Sequence, residues 1–228
     1  MIEFLFLDLD DTILDFQKAE YIAASRTFTS FGITPSEEVL ARYHEINDLH
    51  WKMLERGELT REQVVVRRFG VLFAELGVDA DPAECSRRYM ENLSVGHYFL
   101  PGAQEAVSRL SKKYRLFIAT NGTAAVQERR MASADLYRFF EKVFISQEVG
   151  VNKPAAEFFA RSFAQIPGFD PARAMIVGDS LTSDIQGGIN AGIVTCWINP
   201  AHRISTGDIH PDYELESLKQ LEALLETL

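Results

Sequence analysis

The chain has 228 residues, 46% hydrophobic and 25% charged, with 23 Lys and Arg against 33 Asp and Glu and a formal net charge of −10. This is the composition of a folded globular protein holding one sizeable domain, or a core with a smaller insert, and it excludes a largely disordered chain. The acidic excess also disfavours nucleic-acid polymers and anionic membranes as partners, because no surplus of Lys and Arg exists to neutralise their phosphates.

The first element in chain order is an apolar run, Phe4-Leu5-Phe6-Leu7, that reads as a strand buried on both faces. It runs into Asp8-Leu9-Asp10-Asp11-Thr12. Carboxylates at positions 8 and 10 of an extended backbone point to the same side, about 6 to 7 Å apart. Two unpaired acids there would oppose each other's ionisation, and a bound divalent cation removes the conflict. The plain alternative is that Asp and Thr simply start the loop after the strand. Only Met1-Ile2-Glu3 precedes the strand, without a basic leader. No apolar run approaches the roughly 18 residues that span a bilayer, so a cytoplasmic protein is expected. Cys85 and Cys196 lie far apart with no CxxC pattern and read as reduced structural thiols. No His or Cys constellation favours Zn²⁺.

Residues 15–96 carry dense helix signals and no convincing strand. Ser36 followed by two Glu opens a helix in which Leu40, Tyr43, Ile46, Leu49, Met53 and Leu54 recur at three- and four-residue spacing, the mark of one buried face. Thr60-Arg61-Glu62-Gln63 is a capping box for a helix ending near Gly77, and Asp81-Pro82 opens another.

From Pro101-Gly102 onward the pattern alternates. Helices are expected at 103–113, after Gly122, at 155–163 and at 184–191, with strands at 115–120, 143–146, 174–177 and 194–198. Thr206-Gly207-Asp208 reads as a surface loop before a last strand at 213–215 and a closing helix near Ser217. The order predicts an α/β fold: a Rossmann-like parallel sheet core from residues 1–14 and 97–228, with an inserted all-helical cap domain at 15–96. Ligands of such sheets gather outside the carboxyl ends of the strands, and a helical block inserted there is placed to act as a lid.

The same edge collects Thr120-Asn121-Gly122 at the end of the second strand, Lys153 after the third, and Asp179 and Asp184 after the fourth. Each has a bland reading: a turn, a solvated charge, a helix N-cap. Together they bring a hydroxyl, an ammonium and four carboxylates to one rim.

Asp8-Leu9-Asp10-Asp11-Thr12, Thr120, Lys153 and the segment from Asp179 to Asp184 match, in order and spacing, the four motifs of haloacid dehalogenase superfamily phosphatases, which the chain resembles along nearly its full length. The resemblance implies that Asp8 is the nucleophile, forming an aspartyl-phosphate, and that Asp10 protonates the leaving alcohol and later deprotonates the hydrolytic water. An acid at position 10 favours phosphate transfer over displacement of halide from carbon. Thr120, Asn121 and Gly122 would hold phosphate oxygens, and Lys153 would neutralise Asp8 and the transferring group. Mg²⁺ is the implied metal, held by Asp8, Asp179 and the backbone carbonyl of Asp10, with Asp184 orienting a bound water or ligating directly.

The stretches 146–154 and 185–192, followed by Cys196-Trp197-Ile198-Asn199, are similar to the noncanonical pyrimidine 5′-nucleotidase branch of that superfamily, as is the arrangement of Asn47, Trp51, Gly57 and Thr60. The substrate this implies is a pyrimidine nucleoside monophosphate. A nucleobase needs a flat apolar wall and polar groups at its edge, which points to Phe16, Trp51 and Asn47, although each also suits ordinary helix packing. Phosphatases of small sugar or glycolate-type phosphates, and a non-catalytic phosphate-ester-binding or scaffold module, are the alternatives. Oligomeric state is not legible.

Overall fold

The computed structural model describes residues 1–205 and 207–228; Thr206, the first residue of the expected surface loop, lies outside the described residues, while Gly207 and Asp208 are exposed. The chain divides into two compact units, Met1–Asp15 with His97–Leu228, and Phe16–Gly96. The first element is β1 (Phe4–Leu7), after which the chain enters the second unit.

That unit consists of α1 (Phe16–Ser30), α2 (Glu37–Glu55), α3 (Arg61–Leu76) and α4 (Pro82–Leu93), with no strand among its described residues. Its helix starts follow local chemistry. The Ser36 hydroxyl accepts the Val39 N–H, Thr60 and Gln63 form a reciprocal capping box, and Asp81 caps α4 ahead of Pro82. Phe28, Tyr43, Phe69 and Tyr89 meet in its core, with Tyr43 and Phe69 stacked at 5.3 Å. One detail of the periodicity is corrected: Leu49 is 52% exposed, and the buried positions of α2 are Leu40, Tyr43, Ile46, Asn47, His50 and Leu54. His50 is accommodated inward because its Nδ1 bonds the Ile46 carbonyl at 2.7 Å.

The remainder alternates. In order come α5 (Ala103–Leu110), β2 (Arg115–Thr120), α6 (Ala124–Ser133), β3 (Lys142–Ile145), α7 (Ser146–Val149) and α8 (Ala156–Phe163). Then follow β4 (Ala174–Gly178), α9 (Gln186–Ala191), β5 (Val194–Ile198), β6 (Tyr213–Leu215) and α10 (Leu221–Leu225). The strands form one six-stranded sheet in the order β3-β2-β1-β4-β5-β6, and every pairing is parallel. Side-chain alternation along β1 sends Phe4 and Phe6 to one face, with Phe117, Phe144 and Phe159, and Leu5 and Leu7 to the other, with Ile118, Val177 and Val107. The chain leaves β1 for β2 on one side and returns from β3 to β4 on the other. The switch point therefore falls between β1 and β4, where α/β sheets bind their ligands.

Some boundaries shift. α5 ends at Leu110, short of the expected 113, and Ser146 begins α7 instead of ending β3. The expected helix at 184–191 starts with a wide turn over Leu181–Ile185, capped by Ser180, so Asp184 is not the N-cap.

Candidate active site

After Leu7 the Asp8 N–H donates to the Val177 carbonyl at 2.9 Å, which carries the β1–β4 ladder one residue further and sets Asp8 at the switch point. Thr120 closes β2 on one side, and Asp179 follows β4 on the other. The segment from Asp8 to Asp15 turns back on itself. Asp11 adopts φ +52°, a left-handed conformation that Asp tolerates better than most residues, and its N–H bonds the Leu14 carbonyl at 2.8 Å. Leu14 then bridges antiparallel to Phe99.

Lys153 is brought into this crevice fully buried. Its Nζ donates to Asp8 Oδ1 at 2.7 Å, to Asp184 Oδ1 at 2.6 Å and to the Ala119 carbonyl at 2.5 Å, which uses all three ammonium protons. Its backbone is fastened as well: Asn121 Oδ1 accepts the Lys153 N–H at 2.9 Å, and Asn121 Nδ2 donates to the Lys153 carbonyl at 2.9 Å and to Ser183 Oγ at 3.2 Å. The side chain of Asn121 therefore sets the position of the lysine loop. The Thr120 hydroxyl accepts from the Gly122 N–H at 3.3 Å.

Carboxylate oxygens of Asp8, Asp179 and Asp184 lie within 4.8 Å of one another. Burial pushes the Asp8 carboxyl well above its ordinary range; Lys153 opposes this, and Asp184 and Asp10 add to it. Burial likewise raises Asp179, reinforced by Asp184 and Asp8. Burial works against the Lys153 ammonium, but Asp184 and Asp8 together outweigh it and hold its charge more firmly than in water. Asp8 and Asp184 thus share one ammonium, and the cation that opposes the rise of Asp179 is Arg203. Trp197 Nε1 donates to the Asp179 carbonyl at 2.8 Å, which fixes the backbone that presents this acid.

The two acids of the opening pair do not share a partner. Asp10 turns to α6, where Oδ1 accepts from Arg130 Nη1 and Oδ2 from Gln127 Nε2 at 2.7 Å. Sequence reasoning passed over Gln127, Arg130, Ser183 and the hydrogen-bonding role of Trp197; the only signal for the first two is their inward spacing with Val126 and Met131 on α6.

Phe16, Asn47 and Trp51 belong to the helical unit. Asn47 is buried there, its Nδ2 donating to Glu20 Oε1 at 2.6 Å and its Oδ1 accepting from Arg68 Nη1 at 2.5 Å, so its amide is committed to joining a buried acid to a buried base. Trp51 is half-buried against Leu54, Leu59 and Val64, with the Arg61 guanidinium 5.6 Å above its ring. Phe16 is half-buried at the start of α1.

Fold and crevice together place a cluster of carboxylates and one buried lysine at the switch point of a parallel α/β sheet. Residues 5–198 match the model of the haloacid dehalogenase-like hydrolases, and the chain belongs to that family. It is 39% identical to YfnB of Bacillus subtilis over 97% of this chain and 94% of that protein. A crystal structure of YfnB bound to magnesium, which reveals interdomain movement, matches with a TM-score of 0.94 and covers 99% of each chain. Identity is 37% to the pyrimidine 5′-nucleotidase PynA of Streptococcus pneumoniae, over 96% of this chain and 93% of that protein. It is 32% to the pyrimidine 5′-nucleotidase YjjG of Escherichia coli, over 98% and 97%. Among the described residues no helix is long and apolar enough to cross a membrane.

Proposed function

We propose that this hydrolase is a Mg²⁺-dependent phosphatase that works through an aspartyl-phosphate on Asp8 and takes pyrimidine nucleoside 5′-monophosphates. The observation that carries the reading is Lys153, buried and bonded at once to Asp8 and Asp184 beside a third acid, Asp179. The nucleotide preference draws its support from the two relatives named as pyrimidine 5′-nucleotidases.

The donor set suits a hard divalent ion. Asp8, Asp179 and Asp184 offer oxygen alone, within 4.8 Å of one another, and burial makes their uncompensated charge costly. These acids, with the Asp10 carbonyl, would hold Mg²⁺, which when bound offsets the charge of the acids and of the phosphate oxygens. If so, millimolar Mg²⁺ raises the melting temperature of the parent, by the equivalent of about 2.7 kcal/mol at a hundred times Kd. Asp179→Asn should lose most of that rise; a parent whose melting ignores Mg²⁺ would remove the metal from the proposal.

The steps of the reaction fall to the chain's own residues. An Asp8 oxygen attacks phosphorus in line as the bond to the leaving oxygen breaks, and Asp10 delivers the proton that this oxygen needs. Asp10 then takes a proton from water, the water oxygen attacks the same phosphorus, and the Asp8–phosphorus bond breaks to release phosphate. Lys153 keeps the Asp8 carboxylate oriented and balances the charge that develops on the phosphoryl oxygens, while Thr120 and the amides after it hold those oxygens. Phe16 and Trp51 are the proposed apolar contacts for the base. The proposal places the enzyme in the cytoplasm, where the buried free thiols Cys85 and Cys196 stay reduced.

A panel of nucleoside monophosphates, sugar phosphates and glycolate-type phosphates, assayed with Mg²⁺, tests the substrate class. We expect kcat/KM on pyrimidine monophosphates to exceed that on small sugar phosphates by at least about tenfold, or about 1.4 kcal/mol of transition-state binding. A reversed order would assign the enzyme to small sugar phosphates. No release of phosphate from any ester would favour a binding or scaffold role.

A further inference from the structure

We propose that Gln127 and Arg130 are positioning residues for Asp10, holding its carboxylate in the place from which it serves the leaving group. The inference rests on the reading of Asp10 as the acid and base of the reaction.

The Asp10 side chain is about a quarter exposed, at 27%, whereas Arg130 is fully buried and Gln127 nearly so. Substrate can therefore reach Asp10, while both α6 residues lie behind it, out of reach of any ester. Each Asp10 oxygen has its own donor, Arg130 on Oδ1 and Gln127 on Oδ2. The donors are locked to each other: Arg130 Nη1 also donates to Gln127 Oε1 at 2.9 Å, which fixes which way the amide points. The second proton of Gln127 Nε2 goes to Thr120 Oγ1 at 3.0 Å, so the holder of the acid and the end of β2 form one unit. Two oxygens held by two donors leave a carboxylate little freedom to rotate.

Gly122 makes room for this arrangement. A Cβ at that position would meet the Gln127 side chain at 2.4 Å, so the glycine of Thr120-Asn121-Gly122 is what lets the amide reach across. The crevice also contains two buried cations with separate charges to manage: Lys153 serves Asp8 and Asp184, and Arg130 serves Asp10. This division keeps adjacent acids of one short segment on different partners.

A displaced proton donor matters most when the leaving group needs a proton. Nitrophenolate departs without one, whereas the 5′-oxygen of a nucleoside does not, and kcat/KM reports the steps through leaving-group departure. Gln127→Met, Arg130→Met and Asp10→Asn should be measured on p-nitrophenyl phosphate and on a pyrimidine nucleoside 5′-monophosphate. We expect Gln127→Met and Arg130→Met to lower kcat/KM on the nucleotide about 10²-fold, at the low end of general acid catalysis, and on the aryl ester by less than about fivefold. Equal losses on both esters, or no loss, in the Gln127 variant would overturn the proposal. Gln127 decides the matter if Arg130→Met does not fold, as judged by circular dichroism. Asp10→Asn separates the two readings. If it too shows no difference between the esters, the acid role of Asp10 fails; if it discriminates and the α6 variants do not, only the positioning role fails.

Discussion

Asp8→Asn is expected to lower kcat by at least about 10⁴-fold, as removal of a nucleophile does in other covalent enzymes, while the protein keeps its fold. An amide has the shape of the carboxylate but not its nucleophilic oxygen. Its stability should not suffer, because the substitution removes a charge that burial opposes and that Asp184 and Asp10 repel. The Asn oxygen can still accept from Lys153 Nζ. Rapid acid quench with phosphate-labelled substrate should trap label on the parent and none on the variant. Residual turnover within tenfold of the parent would show that phosphorus is attacked by another group.

Lys153→Met should weaken both catalysis and stability, and it is the second large effect. The ammonium is 1% exposed and bonds two acids at 2.6 and 2.7 Å. Removing it leaves buried carboxylates without a counter-charge, a loss of about 3 to 5 kcal/mol when one partner of a buried pair is deleted. For a chain of this size about 3 kcal/mol lowers the melting temperature by roughly 6 to 12 °C. A drop in kcat of about 10² to 10³ should accompany it, the usual result of removing one preorganised electrostatic donor. Because the acids remain, Mg²⁺ should restore more of the melting temperature in the variant than it adds to the parent. A variant as stable as the parent without Mg²⁺ would mean that Lys153 does not balance these acids.

The sheet was legible because most of its strands are short apolar runs, the three beside the crevice ended by Asp8, Thr120 and Gly178, and a strand such as Phe4–Leu7, buried on both faces, leaves little else for such a run to be. The crevice residues that terminate those strands were legible with it, since chain order and strand polarity bring them to one edge. Arg130 was not. It stands in Glu128-Arg129-Arg130, where residues 128 and 129 are exposed and 130 is completely buried, and only the rotation of α6 decides which arginine turns inward. The partners of Asn47 were not legible for a related reason. Its inward position on α2 follows from helical spacing, but its partners Glu20 and Arg68 lie on other helices, so a committed bridge looked like a free amide. Leu49 and His50 show the same limit in reverse, where one residue's difference in helical phase exposed an apolar side chain and buried a polar one.

The stitching at the base of the loop after β1 has a consequence for how such chains diversify. Leu14 pairs with Phe99, the Asp15 N–H bonds the Tyr98 carbonyl at 2.8 Å, and the Leu100 N–H bonds the Ile13 carbonyl at 3.0 Å. The sheet-bearing unit therefore closes its own backbone on both sides of the point where residues 16–96 depart and return. A graft point sealed in this way tolerates inserts of different length and sequence without shifting the register of any strand, because the ends stay paired whatever lies between them. Selection can exchange such an insert as a cassette while the sheet and its strand register stay in place.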